Sequence, residues 1–328
     1  MNKAIDDFAS KEPIDYHPGT QTIVRDLIHP SLYPLIIDPT SIDTNKHNHF
    51  GRKYESSRFQ WLPAEVDIDS EGKATFVSPI NNFTNPQQYP QMQTALNNVM
   101  TALIPGFEKV WQYSQMVSFN SQEDWDEADE YPQVDPVSFK NSRLQVIVKV
   151  AEYTFQPNMS FSGVWHYEGM AHENIVMTGL FYPYTDERLQ GGGLEFKRQF
   201  TDVDGNFILY NVAQTRPVWL DEAVKEGFVP LGQCNTDTGL LMVFPNCHAH
   251  RVMDIVNKTN EVLKRRLIVF FVVDPMQRIV SSADCANAMP RTLIADHEVA
   301  LKDRLELMQE RKYAKQQLNP REIELCEH

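Results

Sequence analysis

The chain has 328 residues, a length that suits one large domain or two modest ones. Hydrophobic residues make up 42% of the chain and aromatic residues 11%, which excludes a mainly disordered or low-complexity protein. The 30 basic and 44 acidic residues give a formal net charge of -14, and this sign argues against nucleic-acid and anionic-membrane partners.

The cysteines and the first residues indicate the compartment. Four cysteines, at positions 234, 247, 285 and 326, include no CxxC pair, as expected of free thiols in a reducing environment. The opening stretch MNKAIDDFASKEP lacks the apolar core of a signal peptide, and no apolar run approaches the roughly 20 residues that span a bilayer. We therefore expect a soluble cytoplasmic protein.

The first part of the chain supplies few strand signals. Residues 1–87 are rich in Pro, Asp, Asn and Ser, which predicts a loop-rich segment that wraps the rest of the molecule. Residues 88–143 combine a predicted helix, from Gln91 to Leu103 and ended by Pro105-Gly106, with the acidic stretch EDWDEADE at 123–130. Because that stretch lacks the ligand spacing of a calcium loop, we expect a solvated loop there.

Strand patterns dominate residues 144–275. Segments rich in β-branched and aromatic residues are separated by turn signals, and they are LQVIVKVAEYTF, NIVMTGLFYPY, LEFKRQF, GLLMVFP and LKRRLIVFFVVDP. They predict an all-β barrel or sandwich. Residues 276–328 are a predicted helical extension, in which a charged helix from Asp296 to Gln317 docks on the outside of the β core. We assign all four segments to one structural domain.

A histidine and a carboxylate stand two residues apart in the segment GVWHYEG. His166 and Glu168 should lie on one face of a strand, because side chains alternate between its two faces. His248 and His250, which follow a buried strand, each offer a third ligand. Two histidines and one carboxylate leave positions on an ion open for substrate and oxygen, as in non-haem iron(II) oxygenases. An ordinary structural pair has the same spacing, so the pattern alone leaves both interpretations open.

Two adjacent arginines open a strongly apolar segment. Arg265 and Arg266 lie 15 and 16 residues after His250. An arginine buried beside apolar strands needs an anionic partner, since an unpaired buried charge costs several kcal/mol. A dicarboxylate cosubstrate would provide that partner through a bidentate contact.

Six segments between residues 61 and 275 carry a resemblance to a known family. They are WLPAEVDIDSEGKATFVSPINN, IPGFEKV, RLQVIVK, GVWHYEGMAHENIVMTGLFY, FPNCHAHRV and RRLIVFFVVDP. In this order they resemble the iron(II)- and 2-oxoglutarate-dependent oxygenases, and within them a mainly fungal family known only as a domain of unknown function. The resemblance implies a mainly β fold with flanking helices around a double-stranded β-helix, the jelly-roll or cupin-like core. The family usually has two glycines before its Trp-His pair, whereas Ser162-Gly163-Val164 stand here.

The same resemblance implies a set of ligands. His166, Glu168 and His250 match the family's iron ligands, and Arg265 matches the residue that holds the far carboxylate of 2-oxoglutarate. Arg266 would then point to the other face, although the tandem leaves the register open by one residue. The implied cofactors are Fe(II), 2-oxoglutarate as cosubstrate, and O2.

Other strand residues are candidates for lining the cavity. Lys149, Thr178 and Tyr182 are further candidates for contact with the cosubstrate, but spacing does not say which face of each strand is inward. Aromatic residues of the strands shape the pocket or, as is commoner, fill the core, and they are Trp165, Phe181, Tyr182, Phe196 and Phe244.

Two further histidine motifs compete with this ligand set. His172 and Glu173 form an alternative pair in MAHEN, for which a loop polar pair or a supporting contact is the better interpretation. His47 and His49 form an HxH pair in a polar segment, where no apolar strand would hold two ligands rigid.

These inferences predict an oxygenase that oxidises a small molecule and releases succinate and CO2. Cationic residues near the core strands favour a substrate that carries carboxylates, such as an amino-acid derivative of specialised metabolism, and they are Lys149, Lys197, Arg198 and Arg266. Hydroxylation, desaturation and oxidative cyclisation all stay open. The alternatives are an oxygenase of peptides or proteins, a non-catalytic metal-binding β-helix protein, and a zinc-dependent hydrolase with the same ligands.

Overall fold

The fold comes from a computed structural model, which describes residues 1–83, 86–116, 134–199, 227–285 and 297–318. The acidic stretch at 123–130 and Cys326 lie outside the described residues, so what we predict of them stays a prediction. Within the described ranges, no helix is long and apolar enough to cross a membrane.

Three helices and fifteen strands make up the described part of the chain. The helices are α1 (Asn2–Lys11), α2 (Pro90–Met116) and α3 (His297–Leu318). The strands are β1 (Val24–Ile28), β2 (Leu35–Ile36), β3 (Phe59–Gln60), β4 (Ala64–Ile68), β5 (Ala74–Phe76), β6 (Ser142–Phe155), β7 (Ser160–Phe161), β8 (Ile175–Thr185), β9 (Gln190–Gly191), β10 (Leu194–Gln199), β11 (Phe228–Cys234), β12 (Leu241–Pro245), β13 (His248–Val252), β14 (Ile255–Val256) and β15 (Leu263–Val273). The five predicted strand segments correspond to β6, β8, β10, β12 and β15.

A seven-stranded sheet forms the larger wall of the core. Its order is β12-β8-β15-β6-β4-β5, and β1 pairs with the second half of β6. β6, β8 and β15 are nearly continuous apolar runs because both faces of this sheet are covered. The outer face packs on α2. The other face, which carries Ile147, Leu180 and Phe271, is called the inner face below.

Two three-stranded sheets, β11-β10-β13 and β7-β14-β9, form the opposite wall. Leu194, Val252 and Ile255 from this smaller wall join one buried cluster with Tyr153 and Phe271 of the large sheet. The two walls therefore enclose a common interior, which is the geometry of a double-stranded β-helix or jelly roll. The predicted fold class, mainly β with flanking helices around such a core, is confirmed.

The prediction that the first long helix ends at Pro105-Gly106 is wrong, because α2 continues to Met116. A proline inside a helix removes one backbone hydrogen bond and costs about 3 kcal/mol. The next turns bury Phe107 and Trp111 against the outer face of the large sheet, and this burial offsets the cost. Gly106 allows the close approach, since a Cβ there would lie 2.7 Å from Val243 Cγ2.

The ends of the chain complete the core. β1, β4 and β5 extend the large sheet, and much of the rest of residues 1–83 is loop. Composition did not predict α1, which packs Ile5 and Phe8 into the core. The predicted helix from Asp296 to Gln317 corresponds to α3, whose Leu307 and Met308 pack in the interior cluster.

Candidate metal centre

Three predicted ligands meet on the smaller wall. His166 and His250 form an isolated antiparallel bridge, in which each backbone N–H donates to the other's carbonyl at 3.0 and 3.1 Å. Both Nε2 atoms lie 3.5 Å from Glu168 Oε1. Two ligand atoms about 2.1 Å from one ion lie roughly 3.0–3.4 Å apart, so one ion fits among these three side chains with little movement. These residues are called the metal centre below.

Backbone carbonyls orient both imidazole rings. Nδ1 of His166 lies 2.8 Å from the carbonyl oxygen of Val164, and Nδ1 of His250 lies 3.4 Å from that of His248. A ring that donates its Nδ1 proton in this way keeps the Nε2 lone pair for a metal. The extended backbone around each ligand thus selects the tautomer that a metal site requires.

The histidines of the metal centre are buried, and its carboxylate is ionised, which favours a cation there. His166 and His250 are 2% and 4% exposed. Burial alone would raise the pKa of Glu168, but hydrogen bonds and charge from the two histidines hold that pKa well below its usual range. Burial and the neighbouring His166 lower the pKa of His250. Once the imidazoles have lost their protons, the two rings and the ionised carboxylate form a donor set that suits Fe(II) or Zn(II).

The backbone of Glu168 depends on a residue that the sequence analysis did not single out. Glu168 lies on a bend just after the bridge to His250, outside any strand. The Asn246 side chain, in the turn between β12 and β13, accepts a hydrogen bond from Glu168 N at 2.9 Å and donates one to Glu168 O at 2.8 Å. The only sequence signal is the FPN block that precedes His250.

The turn after Glu168 requires glycine. Gly169 has a φ of 66°, and a Cβ at this position would lie 2.7 Å from Glu173 Oε2. That carboxylate accepts a hydrogen bond from Met170 N at 2.7 Å and so closes the loop that follows the metal centre.

Arg265 lies on the inner face of β15 and is only 2% exposed. Its Nη1 donates to the carbonyl of Gly192 at 2.9 Å, and its guanidinium lies 4.6 Å from the centroid of the Tyr182 ring. Arg265 Nε has no hydrogen-bond partner, and no carboxylate among the described residues forms an ion pair with this side chain. Gly192 leaves room here, since a Cβ would lie 3.0 Å from Arg265 Nη1. A buried guanidinium in these surroundings fits the carboxylate of a ligand.

Arg266 lies on the opposite face of β15 and is engaged within the protein. Its Nε donates to Glu152 Oε2 at 2.8 Å, and its Nη2 pairs with Asp6 of α1. These contacts hold Arg266 away from the interior that contains Arg265.

Lys149, Thr178 and Tyr182 all lie on the inner face. Thr178, Leu180 and Tyr182 are each two residues apart along β8 and therefore share one face of the strand. Buried Thr178 Oγ1 has no hydrogen-bond partner in the described part of the chain. Lys149 pairs in register with Val269 and stays half-exposed in a strand that is otherwise mostly buried. All three side chains therefore border the interior.

The structure separates the four cationic residues that the sequence grouped. Lys149 and Arg198 lie on the sides of their strands that face the interior. Lys149 pairs in register with Val269 of the inner face. Arg198, which pairs in register with His248, is two residues from Phe196 and so shares its side of β10. Lys197 projects the other way and stacks on Trp165 at 4.5 Å. Arg266 also points away, as its ion pairs show.

The aromatic candidates divide in the same way. The Phe244 and Phe196 ring centroids lie 4.8 and 6.1 Å from that of His250, so both border the metal centre. Trp165 packs with Ala249 in a separate buried cluster, and Phe181 packs on the cluster around α2.

The competing histidines lie elsewhere. His248 is half-buried outside the metal centre, and burial together with Arg198 and His250 lowers its pKa to about 4. His47 is exposed, and the ring of His49 packs against Trp111 with 4.8 Å between centroids.

The pair His172 and Glu173 is used in packing. His172 Nε2 contacts the carbonyl of Phe59 at 3.1 Å. Glu173 is fully buried and pairs with Arg311 of α3 at 2.6 Å, while Trp61 N donates to the same carboxylate. Both side chains therefore have partners in the protein.

A second buried group of ligand-type residues was not expected from the sequence. His17, Asp26 and His29 lie beside the junction of β1 and β6, and one potential ligand atom from each lies within 4.8 Å of the others. They are called the N-terminal cluster below. Their spacing in the chain follows no metal-binding motif, and they meet because the segment before β1 folds back along it.

Fold and metal centre together define a jelly-roll protein with a two-histidine, one-carboxylate cluster in its interior. The chain belongs to the family described as "Protein of unknown function (DUF4246)", whose model matches residues 1–136 and 111–288. No curated protein matches the sequence.

Several solved structures are similar over much of the chain. IDO from Bacillus thuringiensis is 7% identical, with 65% of this chain and 75% of that chain covered and a TM-score of 0.35. An oxidoreductase of the 2OG-Fe(II) oxygenase family from Burkholderia pseudomallei is 9% identical, with 83% and 78% covered and a TM-score of 0.33. The Fe(II)/(alpha)ketoglutarate-dependent dioxygenase TqaL is 8% identical, with 65% of both chains covered and a TM-score of 0.32.

Proposed function

We propose that this protein is an Fe(II)- and 2-oxoglutarate-dependent oxygenase of a small molecule. The observation that carries the proposal is that one interior contains both the metal centre and a buried Arg265 with no acidic partner among the described residues. The metal centre has the donor set of non-haem iron oxygenases. Arg265 offers a guanidinium fork of the kind that holds a carboxylate.

Each residue then has a definite task. His166, Glu168 and His250 hold the metal from the side of the smaller wall, and Arg265 holds the far carboxylate of the 2-oxo acid from the large sheet. Bound Fe(II) and 2-oxoglutarate supply the oxidising power through O2, with succinate and CO2 as co-products. Phe244 packs against the His250 ring and helps to exclude water from the site.

The charges of the interior support a substrate with an anionic group. Lys149 and Arg198 both face this interior, from opposite walls. Cations beside a low-dielectric chamber favour a carboxylate-bearing small molecule, such as an amino-acid derivative. Hydroxylation, desaturation or ring closure then depends on how the substrate carbon lies relative to the metal.

Anaerobic addition of Fe(II) and 2-oxoglutarate to the purified protein tests this function. We expect the weak visible charge-transfer band of the chelate in the wild type, its loss in His250→Ala, and its weakening at fixed cosubstrate in Arg265→Ala. Arg266→Ala is the matched control, because that arginine points away, and it should leave the band unchanged. No band in the wild type at saturating iron and cosubstrate would overturn the proposal and favour a zinc hydrolase or a non-catalytic metal-binding protein.

A further inference from the structure

We infer that Asn246 is a positioning residue that holds the metal ligand Glu168 in place and joins it to the β12–β13 turn that precedes His250. The inference rests on the proposed function, because it assumes that the metal centre binds a metal. It assigns a role to a residue that contacts neither metal nor cosubstrate.

Every polar atom of the Asn246 side chain is used on neighbouring backbone. Oδ1 accepts from Glu168 N at 2.9 Å, and Nδ2 donates to Glu168 O at 2.8 Å and to Ile175 O at 3.1 Å. Its own backbone N–H donates to Val176 O at 2.9 Å, and the residue is 1% exposed. The side-chain amide is therefore held by hydrogen bonds at both its oxygen and its nitrogen.

Glu168 needs such a partner because no sheet holds it. The strand-like pairing of this segment ends at the bridge between His166 and His250, and Glu168 follows on a bend. The two histidine ligands thus receive their backbone geometry from each other, whereas the carboxylate ligand receives it from the Asn246 amide. That amide takes the place of the missing neighbouring strand by pairing with both the N–H and the C=O of Glu168.

The position of Asn246 in the chain gives the contact a second consequence. Asn246 lies four residues before His250, in the turn that joins β12 to β13. The loop with Glu168 and the turn that leads into the strand with His250 are therefore linked through one side chain. When this link is removed, the carboxylate is expected to lose its fixed position relative to the two imidazoles.

Titration of the metal-free protein with Co(II) under nitrogen tests the inference. Asn246→Ala removes all three side-chain hydrogen bonds and is expected to weaken Co(II) binding 10- to 100-fold, the usual range for residues that support a metal ligand. The visible absorption of bound Co(II) should also change, because the third ligand is no longer held. Asn246→Asp keeps the acceptor for Glu168 N and loses both donors, so it should not restore the affinity.

Asn257 provides the matched control. It is also fully buried, and its Nδ2 donates to the carbonyls of Phe155, Gln156 and Glu261 at 3.0, 3.1 and 2.8 Å, away from the metal centre. Asn257→Ala should lower stability and leave Co(II) affinity within about threefold of wild type. Equal affinity in Asn246→Ala and wild type, restoration by Asn246→Asp, or equal losses in both alanine variants would each overturn the inference. Failure of the wild type to bind Co(II) would instead overturn the proposed function.

Hydrogen exchange in the wild-type protein gives a test that needs no variant. The Glu168 amide should exchange slowly in the metal-free protein, because it donates to a buried acceptor. Exchange at the rate of an exposed amide would overturn the inference even if the Asn246 variants do not fold.

Discussion

The metal centre and the N-terminal cluster contain the same residue types but use their imidazoles differently. In the metal centre both Nδ1 atoms face backbone carbonyls, so both Nε2 atoms converge on Glu168. In the N-terminal cluster, Nδ1 of His17 contacts Asp26 at 2.8 Å, and Nδ1 of His29 accepts from Ser31 N at 3.1 Å. Because Nδ1 of His29 accepts a hydrogen bond, its ring proton lies on Nε2, and this imidazole has no lone pair left for a metal.

The surrounding charges differ as well. Arg304 pairs with Asp15 at 2.6 Å and lies 3.7 Å from Asp26, and the charge of Lys149 acts on the same carboxylate. A divalent cation in the N-terminal cluster would meet both positive charges in a buried place. Closeness of ligand-type residues alone therefore does not define a metal site. In the metal centre both imidazoles turn Nε2 toward one carboxylate, and no lysine or arginine among the described residues pairs with that carboxylate.

The largest expected effect tests this comparison directly. The wild type should bind one Co(II) per chain. Replacing His250 with Ala removes one of three ligands and should weaken binding on the order of 1,000-fold, or about 4 kcal/mol. His29→Ala should leave both stoichiometry and affinity unchanged. Calorimetric titration under nitrogen measures both quantities. Two ions per wild-type chain, with one lost in His29→Ala, would show that the N-terminal cluster binds metal as well.

The sequence predicts the three residues of the candidate metal centre because their signal is local. His166 and Glu168 are two residues apart, and the FPN-to-HRV block fixes the position of His250. The N-terminal cluster has no such signal, since its members meet only because the segment before β1 folds back along that strand. The sequence does not predict the role of Asn246 either, because that role depends on hydrogen bonds to Glu168, 78 residues earlier in the chain.

The fold shows the same difference between features with a local sequence signal and features that depend on contacts with other elements. β6, β8 and β15 were predicted because strands covered on both faces are continuous apolar runs. β11 was missed because Pro230 and Gly232 interrupt an edge strand that is largely exposed and has no apolar alternation. The end of α2 was misplaced because burial of Phe107 outweighs a local stop signal at Pro105.

Glu173 is a buried carboxylate that, unlike Glu168, pairs with an arginine of the protein. It pairs with Arg311 at 2.6 Å, and both side chains are almost completely buried. Glu173→Gln leaves a buried guanidinium without its counter-charge and should lower the free energy of unfolding by about 3 kcal/mol. Urea denaturation measures the loss. In Glu173→Gln/Arg311→Met the loss should be smaller than the sum of the two single variants, and a loss below about 1 kcal/mol in Glu173→Gln would contradict the assignment.

The N-terminal cluster should respond to pH through folding stability. Burial and the charges of Lys149 and Arg304 lower the pKa of His29 well below its usual range, although Asp26 opposes them. Between that lowered value and the unfolded pKa of about 6.5, only the unfolded chain binds the proton, so stability falls as pH falls. Stability should therefore fall as the pH is lowered from about 6.5 toward 5, and His29 should contribute to that loss.

A non-titrating variant isolates this contribution. His29→Asn keeps an acceptor for Ser31 N, because its Oδ1 takes the place of the imidazole Nδ1. The slope of unfolding free energy against pH in this range should be smaller than in the wild type by about one proton. Urea denaturation at several pH values measures both slopes. Parallel slopes for the two proteins would show that His29 does not titrate differently in the folded state.

The smallest expected effect concerns the space beside Arg265, the other group left available for a ligand. Gly192 has a φ of 76°, and a Cβ there would lie 2.7 Å from Ile255 Cδ1 and 3.0 Å from Arg265 Nη1. Gly192→Ala should displace the guanidinium and weaken 2-oxoglutarate binding about tenfold, which corresponds to about 1.4 kcal/mol. Gly227→Ala is the matched control, because Gly227 has a φ of 77° with nothing within 4 Å of an added Cβ. Both variants should carry the same backbone strain, yet only Gly192→Ala should change the cosubstrate titration of the charge-transfer band. Equal 2-oxoglutarate affinities in the two variants would mean that the space beside Arg265 is not where the carboxylate is held.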